Sequence, residues 1–379
     1  MSTLLSLVIF CRVVDNYGDI GICWRLARQL QSEHGVAVTL WVDDLNSFKR
    51  ICHAVDVDKD QQMVAGVCVR HWRDQDGAFA PADVADIVIE FFASDIPPAY
   101  SEAMAQCTPR PVWLNLEGLT AEEWVEGCHR LPSMHPRLPL TKHFFFPGFT
   151  AQTGGLLREA SVLDARLAFQ ADPAAQAAFL AGLGVTASEM RATKVSLFCY
   201  PQAPVADLFA AWRDGADPVL CLVPQGVAVD AVSAFLGAPV HGNLTVRVVP
   251  FVSQPDYDKL LWACDLNLVR GEDSFVRAQW AGKPFIWHIY HQDEQLHHVK
   301  LRAFLARYAN SSVTAFALAW NGVDTGAAPD WPALWQALQD DADGFAHRAQ
   351  AWQQEMLAHG DLASNLLDFA CSLRARPMI

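Results

Sequence analysis

No G-x-G-x-x-G fingerprint follows any strand-like run of this 379-residue chain, and none of its ten cysteines stands in a C-x-x-C pair. The first absence disfavours a nicotinamide-binding loop. The second, with Cys11, Cys68, Cys199, Cys221 and Cys264 all inside apolar runs, reads the cysteines as reduced core residues. No apolar run approaches the ~20 residues of a bilayer span, so no membrane partner is expected. The N-terminus enters a strand-like run without the basic start and cleavage site of a secretory signal, and a cytoplasmic location is expected. Positive charge is scarce: 28 Lys and Arg stand against 42 Asp and Glu, a net charge of -14. Non-specific nucleic-acid binding depends on Lys and Arg displacing counterions, so no nucleic-acid partner is expected and a basic protein or peptide fits better.

What the chain has in quantity is core-forming material, with 52% hydrophobic residues, 13 Trp and 21 Phe. Its length exceeds one ordinary core and implies two domains. Buried strands are read at 5–11, 36–42, 67–70, 87–90 and 112–115, each followed by helix or loop signals. That βα rhythm means a parallel, doubly wound sheet. The Pro- and Gly-rich stretch 131–158 closes a first domain, 1–158. An Ala-rich helical linker, 159–190, leads to a second domain, 191–360, with strands at 195–200, 219–223, 244–249, 266–269 and 285–289. A last segment, 361–379, carries the amphipathic helix 362–373, placed to pack back on the first domain.

Chemistry concentrates at two strand-to-helix turns. In DNYGDIG, residues 15–21, Gly18 and Gly21 let the backbone approach a ligand closely. Asp15 and Asp19 share a helix face if the turn is already helical at Asp15, and otherwise both line the loop over the carboxyl edge of the sheet. Like charges in one pocket raise the proton affinity of one of them, which makes a carboxylate a competent base. The plainer alternative makes Asp15 a helix cap and Asp19 a dipole partner. In RGEDSFVRAQ, residues 270–279, Arg270, Glu272, Asp273 and Ser274 lie between a strand and a helix. Asp273 or Ser274 can cap that helix, its start suits a phosphate, and Arg270 adds a bidentate donor. Again a cap with a solvated salt bridge is the alternative. Asp43 and Asp44 resemble a metal pair, but adjacency and position favour capping. Glu90, Asn115 and Glu117 add acid to one edge of the first sheet. Phe198, Tyr200 and Phe251 are placed to stack on a nucleobase unless they are core rings, and Gly154 and Gly155 to sit over a pyrophosphate.

These blocks, with LWVDDL, VIEFFASDIP, GFTAQTGGLLRE, SLFCYPQ and VVPFVSQPDYDKLL, resemble the bacterial elongation factor P arginine rhamnosyltransferases, the EarP family, over nearly the whole chain. The resemblance implies a GT-B fold, two Rossmann-like doubly wound domains facing a central cleft. It further implies inverting transfer of L-rhamnose from dTDP-β-L-rhamnose to an arginine of elongation factor P, which activates the factor for rescue of ribosomes stalled at polyproline. No cofactor and no metal are implied. Carried over by position, Asp19 resembles the general base and Asp15 its companion. Phe198, Tyr200, Phe251 and Gln254 match the residues holding base and sugar. Arg270, Glu272, Asp273 and Ser274 match the pyrophosphate and ribose block. Asn16, Tyr17, Gly18, Gly154 and Gly155 complete the candidate set.

Two other classes remain open on the residues alone. One is a non-catalytic nucleotide-sugar sensor that docks on a basic partner. The other is a metal enzyme using His288, His291, His297 and His298, whose spacing lacks the ordered ligand set of a zinc site.

Overall fold

The computed structural model describes residues 4–15, 17–73 and 77–375. They divide into unit 1, Met1–Ala160 with Met356–Ile379, and unit 2, Ser161–Glu355. Unit 1 is built on β1 (Ser6–Cys11), β2 (Ala37–Val42), β3 (Gln61–Val64), β4 (Val67–His71), β5 (Ile87–Phe91), β6 (Val112–Leu116), β7 (Pro132–Met134) and β8 (Thr141–Phe145). The sheet order is β3-β4-β2-β1-β5-β6-β8-β7, parallel except for the edge strands β3 and β7. Leu7 to Cys11 are all buried, as a parallel strand covered on both faces demands, and this is why β1 reads as an unbroken apolar run rather than an alternating one. The chain runs from β1 toward β2 and β4, then returns to β5 on the other side. The reversal lies between β1 and β5, and a loop leaving the carboxyl end of either strand opens on the crevice where such sheets take ligands.

Unit 2 repeats the plan with β9 (Thr193–Leu197), β10 (Val219–Pro224), β11 (Leu244–Val249), β12 (Leu266–Arg270) and β13 (Phe285–His288) in the parallel order β11-β10-β9-β12-β13. Its reversal lies between β9 and β12. The loops carrying Phe198–Tyr200 and Gly271–Glu272 therefore leave neighbouring strands at the same edge.

Three expectations are corrected. The stretch 159–190 is not a linker: helices Val162–Gln170 and Pro173–Gly182 belong to unit 2, where Phe169 packs 5.9 Å from Trp262 and Phe179 joins a core with Leu180, Leu220 and Val249. The strand expected at 195–200 ends at Leu197, so Phe198 and Tyr200 stand on a loop. Within 131–158, read only as a domain end, the antiparallel pair β7–β8 adds the last two strands of the unit 1 sheet. The chain re-enters unit 1 at Met356, and the helix Leu362–Arg374 lies there, with Phe369 stacked 6.0 Å from Phe145 and Arg374 paired to Asp86 at 2.8 Å.

Candidate active site

In unit 1 the loop after β1 is held from inside. The helix that follows starts at Gly18, with Tyr17 at its cap position and no side-chain cap hydrogen bond. Asp15 therefore precedes the helix, does not share a helical face with Asp19, and is not the cap. Asp19 lies in the first turn, 4% exposed. Its Oδ2 accepts the backbone N–H of Val14 at 2.7 Å and of Asp15 at 2.8 Å. Burial pushes its carboxyl above the ordinary aspartate range; the two backbone N–H groups oppose that shift, and the nearby Asp15 and Asp43 charges add to it. The expected like-charge effect is thus present but secondary to desolvation.

The neighbours of this pair have definite tasks. Gly18 leaves room for the Asp15 carboxylate: a Cβ there would stand 3.1 Å from Asp15 Oδ2. Tyr17 Oη accepts from Arg50 at 2.8 Å. Asn16 lies outside the described residues. Asp43 Oδ1 accepts the Val13 N–H at 2.9 Å, tying the end of β2 to this loop. Asp44 caps the helix Leu45–Ile51 through the N–H groups of Asn46 and Ser47, so the tandem aspartates have structural roles. Of the acids at the sheet edge, Glu90 is buried and neutralised by Lys142 at 2.9 Å, and Glu117 accepts from the Asn115 amide. The acid expected at this edge is therefore offset by a cation at Glu90 and hydrogen-bonded to a neutral amide at Glu117.

Gly154 and Gly155 are needed for packing. A Cβ on Gly154 would lie 2.5 Å from Phe145 Cε1 and 3.0 Å from the Phe146 carbonyl. Gly155 has φ +74, and Asn365 of the C-terminal helix donates to the Gly154 carbonyl at 3.0 Å. They make room for that helix within unit 1.

In unit 2 the centre is Arg270, at the end of β12. Its guanidinium carbon sits 4.3 Å from the Phe198 ring centroid and 4.9 Å from that of Tyr200. Nη1 donates to the Cys199 carbonyl at 2.9 Å. Among the described residues no carboxylate pairs with it, and its remaining N–H donors have no protein acceptor. A guanidinium fixed between two rings with donors to spare is an anion receptor. The two rings expected to stack on a base are thus engaged with this cation. Ser274 does not cap the next helix: its hydroxyl donates to the Arg270 carbonyl and accepts the Arg270 N–H, locking the turn. The helix Asp273–Ala281 has Glu272 at its cap position without a side-chain cap hydrogen bond, and Asp273 opens its first turn. Phe251, after β11, is 39% exposed, whereas Gln254 is buried at the start of the helix Gln254–Ala263, which Ser253 caps. Arg277 and Asp258 form a buried pair at 2.7 Å that bolts this helix to the one carrying Ser274.

One residue escaped the sequence reading, and another was weighed there only as a metal ligand. Tyr257, one helical turn beyond Gln254, packs 5.9 Å from Phe198. His288, at the end of β13, accepts the Tyr200 N–H on Nδ1 at 3.1 Å. An apolar run ending in a polar residue, FIWH, was the available signal for the second. Of the histidines weighed as metal ligands, His297 hydrogen-bonds the Gln292 backbone, and among the described residues no group of three His, Cys, Asp or Glu is placed to hold a metal ion.

A cavity of about 790 Å³ opens at the opposite edge of unit 2, lined by Thr193, Leu266, Pro284 and Arg166 at the amino ends of the strands. It contains none of the residues above. Arg166 is buried there beside the Ala281 carbonyl, 3.3 Å away, where the negative end of the helix Asp273–Ala281 compensates its charge.

A protein-family model described as Elongation-Factor P (EF-P) rhamnosyltransferase EarP matches residues 7–371. A curated relative from Pseudomonas putida, named protein-arginine rhamnosyltransferase, is 50% identical over 377 residues, 95% of this chain and 97% of its own. A solved structure described as the structural basis for EarP-mediated arginine glycosylation of translation elongation factor EF-P is 36% identical with a TM-score of 0.66, covering 97% of this chain and 99% of that one. The crystal structure of Acinetobacter baumannii MurG, 13% identical with a TM-score of 0.53 over 97% of this chain and 99% of its own, shares the fold alone. The two doubly wound units are the GT-B architecture, and the chain belongs to the EarP family of elongation factor P rhamnosyltransferases.

Proposed function

We propose that the chain transfers L-rhamnose from dTDP-β-L-rhamnose to an arginine side chain of elongation factor P, with inversion at the anomeric carbon. Unit 1 supplies the base for the acceptor and unit 2 receives the donor. The observation that carries the donor half is Arg270, a ring-clamped guanidinium with no carboxylate partner among the described residues. The diphosphate takes its spare donors, the start of the helix Asp273–Ala281 adds backbone dipole, and the exposed Phe251 ring stacks on thymine. As the bond from the anomeric carbon to the diphosphate oxygen breaks, the charge left on dTDP is held by these groups, the task that a metal performs in other glycosyltransferases. The reading requires no metal and no cofactor.

The acceptor is the harder partner. A guanidinium is protonated at working pH and its lone pairs are delocalised, so a nitrogen attacks only as it gives up a proton. Asp19, buried and of raised proton affinity, takes that proton as the new nitrogen to anomeric carbon bond forms. Asp15, half-buried on the same loop, orients the cation. The net charge of -14 suits a basic docking partner. The test is to incubate the purified chain with dTDP-β-L-rhamnose and elongation factor P and weigh the factor intact. A gain of one deoxyhexosyl unit on an arginine is expected, and an unchanged mass with competent substrates refutes the transfer.

A further inference from the structure

We infer that His288 is a positioning residue for the donor: one side chain and its own carbonyl tie the loop that carries Tyr200 to the turn that follows Arg270. This rests on the donor-site reading of unit 2. The imidazole Nδ1 accepts the Tyr200 N–H at 3.1 Å, and its ring stands 5.5 Å from the Tyr200 ring. The His288 carbonyl accepts the Gly271 N–H at 3.2 Å, one residue beyond Arg270. Gly271 has φ +60, so that turn is one an ordinary side chain resists. Tyr200 and Arg270 are in turn joined to each other by the ring contact and through the Cys199 carbonyl. The result is a closed circuit, from His288 to Tyr200, to Arg270, to Gly271 and back to His288.

The circuit is backed from the far side. Asn321 donates to the Trp287 carbonyl at 2.8 Å and accepts the Ile289 N–H at 3.0 Å, clamping the backbone on both sides of His288. Trp320 lies 5.7 Å from the imidazole. The side chain is 6% exposed. Acceptance at Nδ1 places the ring proton on Nε2. Burial, and then the charge of Arg270 and the neighbouring His297, hold the ring neutral by lowering its pKa to about 3. A protonated ring would offer Nδ1–H to a backbone N–H and open the circuit, so the residue cannot serve here as an acid or base. Its task is geometric: it keeps the spare N–H donors of Arg270 and the Tyr200 ring where a diphosphate-linked sugar meets both.

Two substitutions and one measurement on the unaltered chain test this. His288→Leu removes the acceptor and should raise the dTDP-rhamnose Kd and KM by roughly tenfold, the effect of one well-placed hydrogen bond, with kcat changed less. His288→Asn presents Oδ1 where Nδ1 stood and should recover donor affinity to within a few-fold. Melting curves separate loss of fold from loss of positioning. In the unaltered chain, the side-chain ¹⁵N shifts of His288 should show the neutral Nε2–H form at pH 5 and should move when dTDP-rhamnose is added. Wild-type donor affinity in a folded His288→Leu chain overturns the inference. So does a folded His288→Asn chain as impaired as His288→Leu, or a His288 ring that titrates near its ordinary value. Arg270→Ala run alongside distinguishes the two readings: if it also binds donor normally, the donor site itself is elsewhere, whereas if it loses binding and His288→Leu does not, only the positioning role fails.

Discussion

Replacing Asp19 by asparagine separates a base from a structural anchor, because the structure shows that one oxygen, Oδ2, carries the anchoring bonds. Oδ2 accepts two backbone N–H groups, from Val14 and Asp15 at 2.7 and 2.8 Å. Asparagine can place its Oδ1 there and keep both bonds, which gives up only the charge-assisted part of each, about 1 kcal/mol. The loop should therefore stay in place and donor affinity should be unchanged, since the groups proposed for the donor belong to unit 2. What asparagine cannot do is take a proton. Loss of general-base assistance predicts a fall in turnover of roughly 10²–10⁴-fold. Asp19→Ala is the complementary perturbation: it leaves both N–H groups unmet at about 1–3 kcal/mol each, so it should lose activity and loop order together.

The same assignment fixes a pH dependence. A base works deprotonated, and burial raises the Asp19 pKa above the ordinary aspartate value of 3.8. The rate should rise with pH through a limb displaced upward from that value. Single-turnover rates at saturating donor and acceptor are the assay, measured with both variants across that limb. An Asp19→Asn chain within a few-fold of wild type, still showing the acidic limb, refutes the reasoning and moves the base to Asp15 or Glu117.

Arg270→Ala should weaken dTDP-rhamnose binding strongly, since a charge-assisted phosphate contact is worth ~1.5–3 kcal/mol; calorimetry returning wild-type affinity would make the residue structural. Phe251→Ala should weaken dTDP itself by lost stacking, and equal affinity of mutant and wild type for dTDP would place the ring in a packing role instead. Gly154→Ala should cost about 1–3 kcal/mol of stability through overpacking against Phe145 and the Phe146 carbonyl while leaving donor affinity alone; the reverse pattern, intact stability with lost binding, would restore the pyrophosphate role. His288 also predicts acid sensitivity. Its folded pKa, about 3, lies below the unfolded 6.5, so the unfolded chain binds the proton first as pH falls and stability is lost from pH 6.5 downward. At pH 5 the loss is about 2 kcal/mol. Urea midpoints at pH 5 and 7.5 should therefore differ less for His288→Asn than for wild type, and an equal difference contradicts the assignment.

The sheets were legible in the sequence because parallel strands buried on both faces are continuous apolar runs. β1, β5, β6 and β10 announce themselves that way, and the turns after β1 and β12 stand out because charge and glycine follow their apolar residues. Side-chain direction was not legible. Arg270 and the aromatics Phe198 and Tyr200 were each read as ligand contacts, yet the rings bind the guanidinium first. Ser274 looked like a helix cap and instead closes the turn on Arg270. Glu90 ends a strand at the right edge, but Lys142, 52 residues away, neutralises it. Gly154 and Gly155 carried a phosphate-loop composition, and only the fold reveals that the C-terminal helix occupies the space beside them. For the rings, Glu90 and the two glycines the deciding partner is distant in sequence, and local pattern carries no information about it; Ser274 differs, its partner Arg270 being four residues away.

Both candidate half-sites arise from the same backbone solution. In each unit the central strand, β1 or β9, adjoins the strand across which the chain reverses direction, β5 or β12, and the crevice there needs no sequence motif to exist. The sequence decides what charge fills it. Unit 1 buries a carboxylate and feeds it two N–H groups, which holds the loop without cancelling the raised proton affinity that burial imposes. Unit 2 clamps a guanidinium between rings, which neutralises none of its charge, and gives it a carbonyl rather than a carboxylate. Had either been paired with an opposite side-chain charge, as Glu90 is with Lys142 or Arg277 with Asp258, stability would be served and ligand chemistry lost. The contrast between those closed pairs and the two open charges is the physical ground for assigning function to Asp19 and Arg270 rather than to the other buried ionisable residues of the same sheets.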